Sequence, residues 1–291
     1  MAAGEALQFA LSGITVGSVY AVVALGFTIV FNATGVVNFA QGEFVMLAGL
    51  LAVWLVALHI PLWAAAVGAV LIVAGVAAAI HALTVRPIER RAGHFTMIMV
   101  TLGVAIMLQV IAQLLFGTEA QALPSFTGDG AIRILTATIT VQALWILGGA
   151  AVLMAGLYLF FSRTRAGQAM LATAENREAA GLVGIDTRRV SLYAYVLGCG
   201  LGALAGVLVT PMTAAVYTQG LVFTLKGFAA AALGGFGSPV GAVIGGLALG
   251  LLEAFSAGFV SSGYQDLIAL VALIAILMFR PGGIVGTRTL G

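Results

Sequence analysis

The chain of 291 residues is 62% hydrophobic and only 8% charged, and its mean hydropathy is +1.16. This composition leaves too few polar residues to cover a water-exposed surface, which excludes a soluble globular protein and predicts an integral membrane protein. The net charge of +2 is too small to indicate a nucleic-acid-binding protein.

Apolar runs follow one another along the chain, each close to the length of about twenty residues that a helix needs to cross a bilayer. The strands of a membrane barrel would be about ten residues long and would alternate in character. The predicted fold class is therefore all-α, a polytopic membrane protein with about eight to ten transmembrane or broken helices in one domain, residues 1–291. The candidate spans are Leu7–Phe31, Glu43–His59, Leu62–Val85, Phe95–Phe116, Val141–Phe161, Ser191–Val209, Phe223–Phe236, Val240–Phe255 and Leu267–Phe279.

Charged residues predict the orientation of these spans. Met1–Gln8 has no basic residue, unlike the start of a cleaved signal peptide, so the first span is interpreted as uncleaved. The positive-inside rule places three basic clusters in the cytoplasm. The C-terminus is then predicted to be cytoplasmic, and the N-terminus and the loop Gly117–Thr140, with Asp129, are predicted to be periplasmic. The clusters are Arg86, Arg90 and Arg91; Arg163, Arg165, Arg177, Arg188 and Arg189; and Arg280 and Arg288.

Each half of the chain, divided near Gly130, contains one polar, glycine-containing break. The breaks are Asn38–Glu43 and Lys226–Pro239, and either can be a broken or re-entrant helix. Their correspondence predicts an inverted-repeat organisation with a transport pathway where the breaks face each other. Pro239 is also explained as the first residue of a helix, where its missing amide proton does no harm.

Glycines at four-residue spacing in Gly198–Gly206 and Gly241–Gly250 clear one helix face and favour close helix packing in lipid. Cys199 lies inside the first of these segments. It is the only cysteine, so it cannot form an internal disulfide, and a packing role is the simpler interpretation.

Residues 162–190 form a polar island that holds eight charged residues, more than a third of those in the chain. Within it, Ala174–Gly184 is predicted to be a slim helix with a glycine stop, and Asp186 is predicted to cap the next span. Such a helix can dock in a groove of a soluble partner, or it can lie solvated against anionic lipid, and its spacing does not decide between them. The candidate contact residues are Ala174, Glu175, Glu178, Ala179, Ala180, Gly181 and Gly184.

Four polar residues in apolar surroundings are candidates for the translocation pathway. A charge at the centre of a bilayer costs at least about 2.5 kcal/mol, so it is retained only where something requires it. Glu43 and Glu253 can line a pathway or a subunit interface, or they can lie near the membrane surface or be satisfied by nearby hydroxyls and amides. Lys226 can lie at an external mouth or snorkel toward headgroups. The candidates are Asn38, Gln41, Glu43 and Glu253.

Enzyme functions find little support. His59, His81 and His94 are scattered without metal-ligand spacing, which predicts no metal site, and no nucleophile–base pair is evident. The single lysine, Lys226, is outside any phosphate-binding loop, so ATP would have to bind another subunit. An alternative function is a secondary carrier for a small polar solute, driven by an ion gradient through Glu43 and Glu253.

Several long motifs resemble the permease family of bacterial ATP-binding-cassette importers for branched-chain amino acids, specifically its H-type permease subunit. They are Gly13–Ala21, Val37–Glu43, the Arg163–Asp186 loop and Leu225–Ala242. The resemblance implies a second homologous permease subunit, two cytoplasmic ATPase subunits that bind ATP and Mg²⁺, and a periplasmic substrate-binding protein. It also implies that Ala174–Gly184 docks on an ATPase. The family extends to amides, urea and other small solutes, which leaves the substrate open.

Overall fold

A computed structural model of the chain describes residues 2–88, 94–128, 130–134, 137–259, 261–280 and 282–285. Arg90, Arg91, Asp129 and Arg288, used above to predict orientation, lie outside these residues. The helices are α1 (Ala2–Thr34), α2 (Gln41–Ala57), α3 (Leu62–Ile80), α4 (Arg86–Ile88), α5 (His94–Phe116), α6 (Val141–Arg163), α7 (Arg165–Glu175), α8 (Arg177–Leu182), α9 (Thr187–Thr213), α10 (Gln219–Gly234), α11 (Pro239–Phe259) and α12 (Gln265–Phe279). A π-helical turn, His81–Val85, joins α3 to α4, and Ser262–Tyr264 is a 3-10 turn.

Every predicted span corresponds to a helix, and the all-α, polytopic class is confirmed. Among the described residues, six helices are long and apolar enough to cross a membrane. Three predicted spans are shorter helices: α2, α10 and α12 have 17, 16 and 15 residues. At about 1.5 Å per residue they are shorter than the hydrocarbon core of about 30 Å. The six long segments are Gly4–Thr34, Leu62–Ile88, Phe95–Phe116, Val141–Arg163, Thr187–Thr213 and Pro239–Phe259.

Helices α1 and α9 form the centre of the bundle, and they are the most deeply buried of the six long segments. Their glycines explain this position. A Cβ added at Gly206 would overlap the backbone of Val45 on α2, and one added at Gly250 on α11 would overlap the backbone of Gly17 on α1. Backbone contact of this kind replaces the hydrophobic effect as the source of helix association in lipid. The predicted packing role of both glycine faces is confirmed.

The two ends of the bundle are marked by different structures. At one end, strands β1 (Ala131–Ile134) and β2 (Ala137–Thr140) form an antiparallel hairpin that the sequence analysis did not predict. We call this the hairpin end; Gln8 of α1 exchanges two hydrogen bonds with Thr138 there, at 2.8 and 3.0 Å. At the other end, the loop end, Asn32 of α1 donates to the Gly237 carbonyl at 2.9 Å. Helices α7 and α8 also lie at the loop end, because α6 runs there from the hairpin.

The predicted break Lys226–Pro239 is wrong in extent. Helix α10 continues through Lys226 to Gly234, and only Gly235–Ser238 forms a turn. The Ser238 hydroxyl accepts a hydrogen bond from the Gly241 amide at 3.0 Å, and Pro239 begins α11 as predicted. The first break is also shifted, because α2 begins at Gln41 and the non-helical residues are 35–40. The inverted repeat stays a prediction.

Candidate coupling surface and buried polar residues

The segment predicted as one helix, Ala174–Gly184, is two helices, so that prediction is wrong. Asn176 separates them, because its side chain accepts a hydrogen bond from the Ala179 amide at 2.9 Å and caps α8. Asparagine side chains compete for backbone amides in this way, and they therefore start helices more readily than they extend them. Gly184, with a φ of +89°, ends the segment as predicted, whereas Gly181 lies inside α8.

The outer side of α8 is more apolar than the sequence analysis predicted. Leu182 and Val183 are 89% and 78% exposed. They follow directly on Gly181, and their position between two glycines of a polar loop was the signal that could have identified them. Ala180, in contrast, is only 3% exposed, so it supports the loop and is not available to a partner. The other predicted residues are exposed: Ala174, Glu175, Glu178, Ala179, Gly181 and Gly184.

We use the name α8 surface for Glu178, Ala179, Gly181, Leu182 and Val183. Charged and small residues surround two large apolar side chains there. Exposed apolar side chains at the tip of a charged loop mark a site of protein contact more often than scattered single ones do.

Helix α7 connects this surface to the bundle. Met170 and Thr173 on its inner side are 4% and 3% exposed. Met170 belongs to the same apolar cluster as residues of α1, α6 and α9, and a Cβ added at Gly167 would overlap the Phe160 carbonyl at the end of α6. Helix α7 is therefore packed against the central helix α1 as well as against α6.

The second connection runs through the start of α9. The Asp186 carboxylate accepts hydrogen bonds from the amides of Arg188 and Arg189 at 3.1 and 3.2 Å, which confirms the predicted cap. One turn later, the buried Ser191 hydroxyl lies 3.0 Å from His81 Nε2 in the π-helical turn. The loop is thereby joined to α3 as well as to α9.

Asn38 and Gln41 lie together at the start of α2, buried against α9. Gln41 Nε2 donates to the Gly198 carbonyl at 2.7 Å, and Asn38 Nδ2 lies 3.7 Å from Cys199 Sγ. These contacts fasten α2 to α9. They give both side chains a structural role, and the predicted pathway role stays a prediction.

Glu43 is 2% exposed, and its Oε2 has no hydrogen-bond partner among the described residues. Its carboxylate lies against Gly220 of α10, where a side chain would overlap it. Beside it, the Gly42 amide donates to Thr224 Oγ1 at 3.0 Å, so α2 and α10 approach closely. Glu43 is thus buried within the bundle, and no described hydroxyl or amide satisfies its Oε2. The N-terminus of α2 provides a favourable electrostatic environment for it.

Glu253 lies apart from the other three candidates, in a cluster with two residues that sequence reasoning did not connect to it. Its Oε2 accepts a hydrogen bond from the Tyr20 hydroxyl at 2.8 Å and forms an ion pair with Lys226 Nζ at 3.1 Å. The Lys226 ammonium also lies 5.4 Å from the centre of the Tyr20 ring. Lys226 therefore pairs within the bundle. The sequence shows one opposite charge in each of two apolar helices, but it does not show that the two charges meet.

Comparison with known proteins identifies the family. The family described as branched-chain amino acid transport system / permease component matches residues 9–277. The chain is 35% identical to the high-affinity branched-chain amino acid transport system permease protein LivH of Escherichia coli K12, over 96% of this chain and 95% of that protein. It is 34% identical to the corresponding protein BraD of Pseudomonas aeruginosa, with the same coverage.

The fold has a counterpart among solved structures. A chain of PsaBC from Streptococcus pneumoniae, solved in complex with a Fab, superposes with a TM-score of 0.55 over 94% of this chain and 93% of that one. The sequence identity is 14%, so this likeness concerns the fold alone. Because the family match and the identities to LivH and BraD extend over nearly the whole length, the chain belongs to the branched-chain amino acid transport permease family.

Proposed function

We propose that this chain is the transmembrane permease subunit of an importer for branched-chain or related small amino acids, driven by ATP hydrolysis on partner subunits. The relatives that carry this substrate in their names support the proposal. The partners would be a second homologous permease subunit, two cytoplasmic ATPase subunits that hold ATP and Mg²⁺, and a periplasmic substrate-binding protein. The complex would lie in the inner membrane.

The observation that carries the ATP-driven mechanism is the α8 surface. Leu182 and Val183 project from the part of the chain that is richest in charge, and the sequence contains no phosphate-binding loop of its own. A partner that covers these side chains would gain the free energy of removing them from water. An ATPase that closes on ATP is the partner that such a transporter requires.

The direction of the bundle supports a cytoplasmic position for α7 and α8. The loop end carries five arginines between residues 162 and 190. Helix α1 begins at the hairpin end, which would be periplasmic, as predicted for the N-terminus. Near the C-terminus, the Ile284 and Val285 amides donate to the carbonyls of Leu233 and Gly234 at the loop end, at 2.8 and 3.1 Å.

In the proposed mechanism, ATPase closure displaces α8. The packing of Met170 carries the displacement to α1, and the Asp186 cap carries it to α9. A population shift of this kind needs a difference of only a few kcal/mol in contact free energy between the two states.

Reconstitution of the chain into sealed vesicles tests the proposal. With the partner subunits and ATP on the cytoplasmic side, we expect uptake of L-leucine that stops when ATP is replaced by a non-hydrolysable analogue. Leucine uptake by the chain alone, driven by a proton or sodium gradient, would instead establish the secondary carrier.

A further inference from the structure

The cluster around Lys226 and Glu253 adjoins a cavity of about 220 Å³ between α10, α11 and α12. Its walls are otherwise mainly aliphatic, from Val222, Leu225, Leu249 and Leu270. This volume is large enough for a small solute. Val222, Leu225 and Leu270 are 46%, 56% and 52% exposed, so the cavity opens at the side of the bundle.

Two opposite charges border this cavity. Lys226 and Glu253 are mostly buried, with side chains 16% and 8% exposed. The contacts of Tyr20 and Lys226 with the Glu253 carboxylate both end on Oε2, and Oε1 accepts no hydrogen bond from the described residues. A ligand cation can therefore approach Oε1 while the bond from Tyr20 persists.

The cluster lies at the middle of the bundle. Tyr20 is twelve residues from Gln8, at the hairpin end of α1, and twelve from Asn32, at the loop end. At about 1.5 Å per residue, each end is about 18 Å away. Substrate sites of transporters lie near the bilayer midplane, and charges there mark substrate pathways more often than they serve stability.

From this arrangement we infer that the cavity is a binding site for a zwitterionic α-amino acid with an aliphatic side chain. The inference rests on the proposed transport function and adds a site to it. The ligand carboxylate pairs with Lys226, the ligand ammonium pairs with Glu253, and the side chain contacts Leu225, Leu249 and Leu270. Each of the two protein charges then faces a ligand group of opposite sign.

The two opposite charges also explain selectivity. A solute with only a carboxylate or only an ammonium would compete for one protein charge without offering a partner to the other, which is unfavourable for buried charges. The site therefore favours net-neutral zwitterions over aliphatic acids and amines of equal size. The headgroup of phosphatidylethanolamine also carries an ammonium and an anion, so the test distinguishes a bound amino acid from a bound lipid.

The test uses the full chain in nanodiscs of phosphatidylglycerol, without any binding protein, and measures binding of radiolabelled L-leucine. Unlabelled L-leucine should compete. L-Leucinol, which lacks the carboxylate, and 4-methylpentanoate, which lacks the ammonium, should each compete about 100-fold less well or worse. Equal competition by the three compounds overturns the inference and requires no variant. Because Lys226 is the only lysine in the chain, its acetylation, followed by mass spectrometry, gives a second measurement. L-Leucine should protect it and L-leucinol should not.

Variants extend the test. The double variant Lys226→Met with Glu253→Gln removes both charges together and should bind leucine at least about 100-fold more weakly. The matched control pairs Arg133→Met with Glu119→Gln, two exposed residues of the segment between α5 and α6, and should bind normally. Unchanged binding by the folded double variant overturns the inference. Protection of Lys226 by phosphatidylethanolamine, with no effect of leucine, also overturns it in favour of a lipid.

Uptake separates this inference from the proposed function. If the assembled complex imports leucine with ATP and the double variant does so with unchanged KM and kcat, the site is wrong and the function stands. If the assembled wild-type complex imports no amino acid with ATP, the proposed function itself fails.

Discussion

Replacing Leu182 with alanine should weaken ATPase docking without weakening the fold. Leu182 is 89% exposed, so nearly its whole side chain is available to a partner. Full burial of a leucine side chain contributes about 1.5–3 kcal/mol, and alanine retains only a small part of this. A loss of about 2 kcal/mol corresponds to about a 30-fold weaker dissociation constant. Folding stability should change by less than about 0.5 kcal/mol, because the side chain makes little contact within the chain.

The assay is titration of the purified ATPase subunit onto the chain in nanodiscs, together with thermal unfolding of each variant. Leu114→Ala is the matched control, since Leu114 is 79% exposed on α5, away from the loop. Docking affinity that is the same for Leu182→Ala, Leu114→Ala and the wild type would refute the assignment of the α8 surface. The buried Ala180 would be a poorer test position, because a larger side chain there would disturb the loop whatever it binds.

Three further predictions concern stability, measured by unfolding in mixed micelles. Lys226→Met and Glu253→Gln alone should each destabilise by about 3–5 kcal/mol, because each breaks the buried ion pair. The double variant should recover part of the loss, and additive effects would contradict the pairing. Gly206→Ala should destabilise by about 1–3 kcal/mol through overlap with α2. Gly200→Ala on the same helix, with no atom within 4 Å of the added Cβ, should be neutral or stabilising by about 0.5–1 kcal/mol. Gln41→Leu should cost about 1–3 kcal/mol through the lost bond to α9, and unchanged stability would show that this bond contributes little.

Helix positions could be predicted from the sequence because an apolar run in lipid has few alternatives to a helix. The glycine faces could also be predicted, because only small residues allow close contact between helix backbones. The break at Asn176 could not, because its neighbours are good helix formers and one side-chain hydrogen bond to Ala179 decides the local structure. The hairpin Ala131–Thr140 was missed because its short strands carry no long periodic pattern.

The sequence predicted the individual residues of the candidate site, but it did not predict which of their side chains contact one another. Lys226 and Glu253 were each singled out, but they are 27 residues apart on antiparallel helices, and no spacing rule links such positions. Glu43 was recognised as an intramembrane charge, whereas its contact with Gly220 depends on how α2 crosses α10. Tyr20 carried no signal, since a tyrosine in an apolar span is equally consistent with simple packing.

Helix α1 connects the two parts of the molecule that the proposals concern. It packs against α7 through the apolar cluster that contains Met170, and its Tyr20 hydroxyl holds Glu253 at 2.8 Å. Since α1 is one helix from Ala2 to Thr34, a tilt imposed near its loop end must also displace Tyr20. The Tyr20 bond restrains Glu253, and its loss would change how strongly the carboxylate competes for Lys226. Docking at α8 and ligand pairing at the cavity would then be coupled through one rigid element. Tyr20→Phe should weaken that coupling while the α8 surface and both charges of the cavity remain in place. In the assembled complex that carries Tyr20→Phe, leucine should no longer change the rate of ATP hydrolysis. A leucine response equal to that of the wild type would exclude this route.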